Sequence, residues 1–179
     1  MLGAVLRTLT LLTVAAMSVA CSDDDGSSFD CSGGECMCID RSRCDLDCGD
    51  QCTAECQSFE IDCDVDCDDN CEFRCESGPR CELDCDDDCV AECRSVSQCL
   101  VETDERGDYT CVSASDCTVE LGDDSVARCE SVGNCNVTCE GRCTTTCVSV
   151  GNCNITCEQG NRTDCGDGVL VCGIDCPTP

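Results

Sequence analysis

The chain has 179 residues, of which 29 are cysteine, with three Phe, one Tyr, no Trp and no His. So few large apolar side chains cannot fill an ordinary core, and the composition predicts an interior of small residues and half-cystines joined by disulfides. The net charge is −28 and all ten basic residues are Arg, which excludes nucleic acid as a partner because phosphate neutralisation needs an excess of Lys and Arg.

Residues 1–20 have the features of a secretory signal peptide. Arg7 precedes an apolar run over residues 9–16, and the small residues Ser18 and Ala20 stand three and one positions before Cys21. The run is too short to span a membrane, and its small-residue end is typical of a cleavage site. We therefore expect export to an oxidising compartment, in which disulfides persist.

Cys21 stands at the predicted cleavage point, and Ser, Asp and Gly residues follow it in a polar tether over residues 21–30. This start resembles that of bacterial lipoproteins, in which the first cysteine of the mature chain carries lipid. The resemblance implies acylation of Cys21, a location at the outer membrane or cell surface, and membrane contact through the lipid alone. Ser18 stands where that family usually has Leu, so ordinary cleavage and free secretion is the alternative. Removing Cys21 from the 29 cysteines leaves an even number, which allows 14 disulfides.

Residues 44–170 contain seven repeats of one cysteine pattern, which predicts stacked units that contact only their neighbours. The complete pattern has Cys at positions 0, 4, 8 and 12, counted from the first cysteine of each repeat. Repeats of 18 residues begin at Cys63, Cys81, Cys99, Cys117, Cys135 and Cys153, after a repeat of 19 that begins at Cys44. Cys31, Cys36 and Cys38 predict an N-terminal cap over residues 31–43, and Cys172 and Cys176 a C-terminal cap over residues 171–179.

Two repeats lack the cysteines of positions 4 and 8 together. Thr103 and Gly107 stand there in the fourth repeat, and Leu121 and Ser125 in the fifth. Joint loss indicates that positions 4 and 8 are partners within a repeat, which predicts the pairs Cys48 with Cys52, Cys67 with Cys71, Cys85 with Cys89, and Cys139 with Cys143. Cys157 is then left for Cys172 or Cys176. Positions 0 and 12 pair with each other, either within a repeat or across to the next.

Position 2 decides between strand and helix, because it is apolar in all seven repeats. On a helix it would lie about 200° from position 0, opposite the cysteines, whereas on a strand positions 0, 2 and 4 face one side. The residue is β-branched in five of the seven repeats, which also favours a strand. The sequence predicts an all-β fold, a disulfide-stapled β-solenoid. The alternative is an array of short disulfide-linked helical hairpins, because cysteines four apart also share a helix face.

A solenoid would stack acidic residues at two positions of the repeat. Like charges directly opposite destabilise a sheet, and calcium bound by the carboxylates would relieve the repulsion. The competing interpretation is a solvated acidic face that salt screens. The candidate ligands are Asp47, Asp66, Asp84, Glu102 and Glu120 at position 3, and Asp50, Asp69, Asp87, Glu105 and Asp123 in the following turn.

Catalysis is not predicted, because without His or Lys the ordinary nucleophile and base arrangements are missing. A thiolate metal site is a lesser alternative, since an oxidising compartment converts such thiols to disulfides. The sequence therefore predicts an exported, lipid-anchored structural or interaction module at the cell surface. Calcium binding is the alternative function and calcium the one candidate cofactor; no residue pattern identifies a protein partner.

Overall fold

The computed structural model describes residues 18–20, 29–31 and 34–177, which form strands and turns without a helix. The β-solenoid prediction is confirmed, and the helical-hairpin alternative is wrong. In chain order the strands are β1 Ser18–Ala20, β2 Phe29–Asp30, β3 Glu35–Ile39, β4 Arg43–Asp47, β5 Thr53–Gln57, β6 Asp62–Cys67, β7 Glu72–Glu76, β8 Arg80–Asp87, β9 Val90–Arg94, β10 Gln98–Glu105, β11 Asp108–Val112, β12 Asp116–Asp123, β13 Ser125–Glu130, β14 Asn134–Cys139, β15 Cys143–Val148, β16 Asn152–Cys157, β17 Arg162–Gly166 and β18 Val169–Cys172.

Successive strands alternate between two sheets. The eight-stranded sheet runs from β2 to β16 through the even-numbered strands, and the ten-stranded sheet contains the odd-numbered strands and β18. Strands of successive repeats pair in parallel and in register, so that Cys81 aligns with Cys99 and Cys93 with Cys111. Each repeat is thus one coil of the solenoid. We number the coils 1 to 7, from the repeat that begins at Cys44 to the repeat that begins at Cys153.

Alternation along each strand places the apolar column inside. In β6 the burial pattern has Cys63, Val65 and Cys67 buried while their neighbours are more exposed, as expected for side chains that point to opposite faces of a strand. The residue at position 2 is buried in every coil: Leu46, Val65, Leu83, Val101, Val119, Val137 and Ile155.

Large and small side chains alternate in a second buried column, at position 10 in the ten-stranded sheet. Strands are about 4.8 Å apart, so a ring fits best where the coils above and below contribute a small side chain. Phe59 shows the same packing in a turn: a Cβ at Gly78 of the next coil would overlap its ring. The position 10 column reads Ala54, Phe73, Ala91, Tyr109, Ala127 and Thr145.

In coils 1 to 5, both turns contain a residue in the left-handed backbone region. One is position 7, where Asn70 and Asp88 have φ of 60° and 58°. The other is position 14, a serine in coils 1 to 6 with φ between 55° and 60°. Asn and Asp at position 7 tolerate this region better than most residues with a side chain. The serine column at position 14 lies in the turn that leads to the next coil. The serines are Ser58, Ser77, Ser95, Ser113, Ser131 and Ser149.

Disulfides join 26 of the described cysteines in 13 pairs. The four predicted pairs of positions 4 and 8 are among them. Position 12 bonds to position 0 of the next coil, which answers the question that the sequence left open. These two positions flank the turn that leads into the next coil, with Cα atoms 6.2–6.5 Å apart. The pairs are Cys56–Cys63, Cys75–Cys81, Cys93–Cys99, Cys129–Cys135 and Cys147–Cys153.

At the N-terminal end, β3 of the predicted cap and β2 of the predicted tether continue the two sheets. β2 pairs with β4, and β3 pairs with β5 so that Cys38 aligns with Cys56. Cys38 bonds to Cys44 and Cys31 to Cys36. β1, which belongs to the predicted signal peptide, pairs with β3. Residues 1–17 and 21–28, including Cys21, lie outside the described residues.

At the C-terminal end, the repeat gives way to a hairpin. β18 lies between β15 and β17 and is antiparallel to both, so Cys165 does not stack on Cys147 as the 18-residue period predicts. It bonds to Cys176, and Cys157 bonds to Cys172. Gly166 and Gly168, with φ of 84° and 79°, adopt the backbone conformation that the reversal needs. The hairpin covers the edge of β15, which would otherwise be open to strand pairing.

Candidate functional site

The candidate site is the outer surface of the eight-stranded sheet in coils 1 to 5, which we call the acidic face. Positions 0, 2 and 4 point inwards, so positions 1 and 3 point to solvent. The predicted position 3 acids lie side by side in register, one per strand, at the strand spacing of about 4.8 Å. The acidic face consists of Asp45, Asp47, Asp64, Asp66, Glu82, Asp84, Glu102 and Glu120.

Burial and the charges of stacked neighbours raise the pKa of two of the position 3 carboxyl groups. Burial, and then the charges of Asp84 and Asp47, raise the pKa of Asp66. The charge of Asp84, followed by burial and the charge of Glu120, raises the pKa of Glu102. Within the described part of the chain, none of the position 3 acids forms a salt bridge with an arginine. Each therefore lies beside acidic neighbours without a salt-bridge partner among the described arginines.

A depression of about 200 Å³ opens on this face between coils 3 and 5. Leu100 and Thr118, which replace the acid of position 1 in coils 4 and 5, are among the residues that line it. Four carboxylates line it: Glu82, Asp84, Glu102 and Glu120. An apolar floor with an anionic rim is suited to a cation or a cationic group and unsuited to an anion.

Three of the five predicted turn acids behave differently, because arginines neutralise them. Asp50 and Asp69 have no arginine partner among the described residues. Arg106 donates hydrogen bonds to Asp87 at 3.0 Å and to Asp88 at 2.7 Å. Arg142 does the same to Asp123, at 2.9 Å, and holds the pKa of Asp123 down to about 2. The structure stacks Asp87, Glu105 and Asp123 in one column as predicted, but this column has protein counter-charges that the position 3 column lacks.

The carboxylates are not gathered into a preformed metal site. In the described residues, the groups of three ligand atoms within 4.8 Å of one another are made only of cysteine sulfurs. All but two of those cysteines are in disulfides, so their sulfurs are not thiolates, and thiolates are what zinc binds. Calcium takes six to eight oxygen ligands, so a calcium ion on the acidic face would need water ligands or side-chain movement.

Cys111 and Cys117 are the two described cysteines that the structure leaves as thiols. They occupy positions 12 and 0 at the boundary of coils 4 and 5. At the other boundaries between coils, a disulfide joins these two positions. Both are buried, and their sulfurs lie within 4.8 Å of each other and of the sulfur of Cys99. A hydrogen bond to Cys111, together with burial, raises the pKa of Cys117, so the Cys117 thiol is not an activated nucleophile.

The eight-stranded sheet is uncharged in β14 and β16, the strands of coils 6 and 7. These residues are not among the candidate site residues predicted from the sequence. Asn152 donates its amide to Asn134 at 2.8 Å, and Asn154 to Asn136 at 3.0 Å. Asparagine at the same two positions of consecutive repeats was the sequence signal for these ladders. With Thr138 and Thr156 at position 3, these asparagines form a surface that we call the neutral patch: Asn134, Asn136, Thr138, Asn152, Asn154 and Thr156.

Comparisons with protein-family models, curated proteins and solved structures find no match to this chain. In the described residues no helix is both long and apolar enough to cross a bilayer.

Proposed function

We propose that this chain is an exported structural or interaction module, held at the cell surface by lipid on Cys21. The observation that carries the proposal is the ladder of disulfides, which bridges the turn between successive coils and, in four coils, the turn within the coil. Such density is typical of extracellular proteins with small cores. The proposal assigns no catalytic role, because the chain has neither His nor Lys to act as base or nucleophile.

The bonds suit a rigid rod that must resist unfolding outside the cell. Closing a loop of five to seven residues by a disulfide stabilises the folded state by about 2 kcal/mol in the chain-entropy description. Because each coil contacts only its neighbours, a bond across nearly every turn between coils reduces the chain entropy that a single coil gains when it unfolds. Reduction should therefore turn a protease-resistant rod into a rapidly digested chain.

The test is mass spectrometry of the mature protein, together with a Cys21→Ala variant. We expect the mature chain to begin at Cys21 and to carry acyl groups, and the variant to leave the membrane fraction. Ser22→Ala, which leaves the thiol in place, is the matched control and should stay membrane-bound. An unmodified Cys21, or a variant that remains bound, would contradict the anchor; an uncleaved N-terminus would contradict export.

A second candidate function is divalent-cation binding in the depression of the acidic face. The observation that favours it is the group of four carboxylates around that depression, including Glu102, whose pKa its acidic neighbours raise. A bound cation would remove the repulsion that the stacked strands impose.

Calorimetric titration with calcium tests this second candidate. We expect binding heat for the native chain, loss of that heat in Glu102→Gln, and its retention in Glu72→Gln. Glu72 is exposed on the ten-stranded sheet, so the control makes the same charge change on the other side of the rod. No binding heat at millimolar calcium, or an equal loss of heat in both variants, would contradict calcium binding and leave the structural function as the remaining candidate.

A further inference from the structure

The C-terminal end of the solenoid is stepped. Beyond coil 6, the ten-stranded sheet continues through β18 to β17, whereas the eight-stranded sheet continues only to β16. One sheet therefore extends one strand further than the other. The edge of β16 stays open in the described structure, while the hairpin protects the edge of β15.

The open edge of β16 presents backbone donors and acceptors. Cys48 at position 4 donates its N–H to Asp66 of the next coil at 2.8 Å, and Glu158 at position 5 donates to Cys139 of the preceding coil at 2.8 Å. Backbone groups of positions 0, 2 and 4 thus point forward along the rod. In coil 7 these are residues 153, 155 and 157, and no described strand lies beyond them. The half-exposed side chain of Cys153 fits an open end, since Cys135 at the same position one coil earlier is fully buried.

The asparagine ladders also end there. In each ladder the Oδ1 atom accepts from the following coil, as Asn134 accepts from Asn152. The Oδ1 atoms of Asn152 and Asn154 have no following coil. Edge strands are ordinarily protected by charges, proline or bulges, and β16 has none of these.

Charge indicates which partner this edge fits. The chain carries a net charge of −28, so two copies repel each other along the acidic face. The neutral patch is free of that repulsion, and it lies next to the open edge. A second copy of the same chain can approach here and is disfavoured over coils 1 to 5.

We propose that two copies dock through their C-terminal ends, with β16 of each pairing antiparallel with β17 of the other. When one copy is turned end over end, its longer sheet meets the shorter sheet of its partner, so the two steps match. The same surface is used on both sides, as a two-fold interface requires. The inference extends the proposed function by naming a partner, and it depends on neither export nor the lipid.

Hydrogen exchange on the Cys21→Ala chain tests the interface, because this variant lacks the lipid acceptor and leaves the C-terminal coils and the hairpin unchanged. We expect the amides of Ile155 and Cys157 to become at least tenfold slower as protein concentration rises, in step with a doubling of the mass measured by light scattering. The amide of Val137, at the position of Ile155 one coil earlier, should be slow throughout. Fast exchange at Ile155 at every concentration, or slow exchange in a chain of single mass, would overturn the proposal.

Asn154→Glu and Asn136→Glu form a matched pair for the same test. Both add one charge to the neutral patch, but Asn154 is on the edge strand and Asn136 one strand inside it. We expect the first variant to weaken dimerisation at least tenfold and the second to change it less than threefold. Equal effects would show that the patch, and not the edge, controls association, and would overturn the proposed pairing. If Asn154→Glu does not fold, the exchange measurement on the parent chain decides.

Discussion

Coils 4 and 5 differ from the coils around them in how the first turn is closed. Coils 1, 2, 3 and 6 close it with a disulfide between positions 4 and 8. In coils 4 and 5, Leu121 is fully buried at position 4, Thr103 donates its hydroxyl to Asp86 at 3.1 Å, and the Ser125 hydroxyl accepts from the N–H of Gly107 at 3.0 Å. The ring of Tyr109 lies where a side chain at Gly107 would be.

The backbone register is the same in both kinds of coil. A half-cystine pair and a set of buried apolar and hydroxyl side chains are therefore interchangeable at this turn. In coils 4 and 5, packing and hydrogen bonds around Tyr109 and Leu121 take the place that the first-turn disulfide has in coils 1, 2, 3 and 6. The comparison predicts that coils 4 and 5 depend more on packing than their neighbours do.

The largest effect is expected from Tyr109→Ala. The side chain is 3% exposed in coils without a first-turn disulfide, and removing a buried ring costs about 3–5 kcal/mol. Denaturant unfolding measures the change. Tyr109→Phe is the control and should cost less than about 1 kcal/mol, or stabilise, because the hydroxyl is buried without a hydrogen-bond partner. Comparable losses in both variants would show that the hydroxyl matters and the packing account is wrong.

Replacing the coil 3 disulfide tests whether the side chains of coil 5 can substitute for it. Cys85→Ala with Cys89→Ala should cost about 2 kcal/mol from the opened loop, plus the lost packing. Cys85→Leu with Cys89→Ser installs the residues of coil 5 and should recover at least about 1 kcal/mol, since a buried methylene contributes about 0.8 kcal/mol. Denaturant unfolding of both double variants measures this. Equal stabilities would contradict the interchangeability of the two solutions.

Oxidation of Cys111 and Cys117 should have a smaller effect. The two thiols are adjacent and occupy positions that are bridged at the neighbouring coil boundaries, so a mild oxidant such as diamide can join them without moving a coil. In the Cys21→Ala chain we expect two alkylatable thiols after unfolding before oxidation and none after it, with a stability gain below about 2 kcal/mol because neighbouring bonds already restrain the turn. Labelling that persists after oxidation would show that their approach is too distant for a bond.

The pH dependence should be the smallest effect, because the carboxyls are mostly exposed and screened by solvent. The folded-state pKa values of Asp64, Asp66 and Glu102 are raised, so the folded chain binds protons more tightly than the unfolded chain. Stability should therefore rise as pH falls from 7 towards about 4, the ordinary range of these groups. Asp123, with its pKa lowered to about 2, acts in the opposite direction, and its contribution is lost between about 4 and 2.

Thermal unfolding across this pH range checks the sign. Asp66→Asn should make stability rise less as pH falls, since it removes one of the carboxyl groups with a raised pKa and its repulsion with Asp47 and Asp84. A stability that falls steadily from pH 7 would show that repulsion on the acidic face is already relieved by another means.

Much of the fold was accessible from the sequence because the period is short and regular. Apolar residues at position 2 between cysteines at positions 0 and 4 are compatible with a strand and not with an exposed helix face. The joint loss of positions 4 and 8 identified their pairing. The pairing of positions 12 and 0 was not accessible, because it depends on which side of the turn brings the two Cα atoms together.

The C-terminal hairpin could not be read from the period either. Cys165 keeps the 18-residue spacing, yet Gly166 and Gly168 reverse the chain and remove that cysteine from its column. For the candidate site, the sequence located both acidic columns, but not the difference between them. That difference depends on Arg106 and Arg142, whose reach to the preceding coil is visible only in three dimensions.

Disulfides that bridge the turns between coils stabilise the solenoid, and a tryptic map of the chain, unfolded in denaturant but not reduced, identifies their partners. Cleavage after Arg74 and Arg80 isolates residues 75–80, in which Cys75 is the single cysteine. The structure predicts that this peptide remains bonded to residues 81–94 through Cys81. Recovery of the same peptide bonded through Cys63 to residues 44–74, or as a free thiol, would contradict the architecture described here.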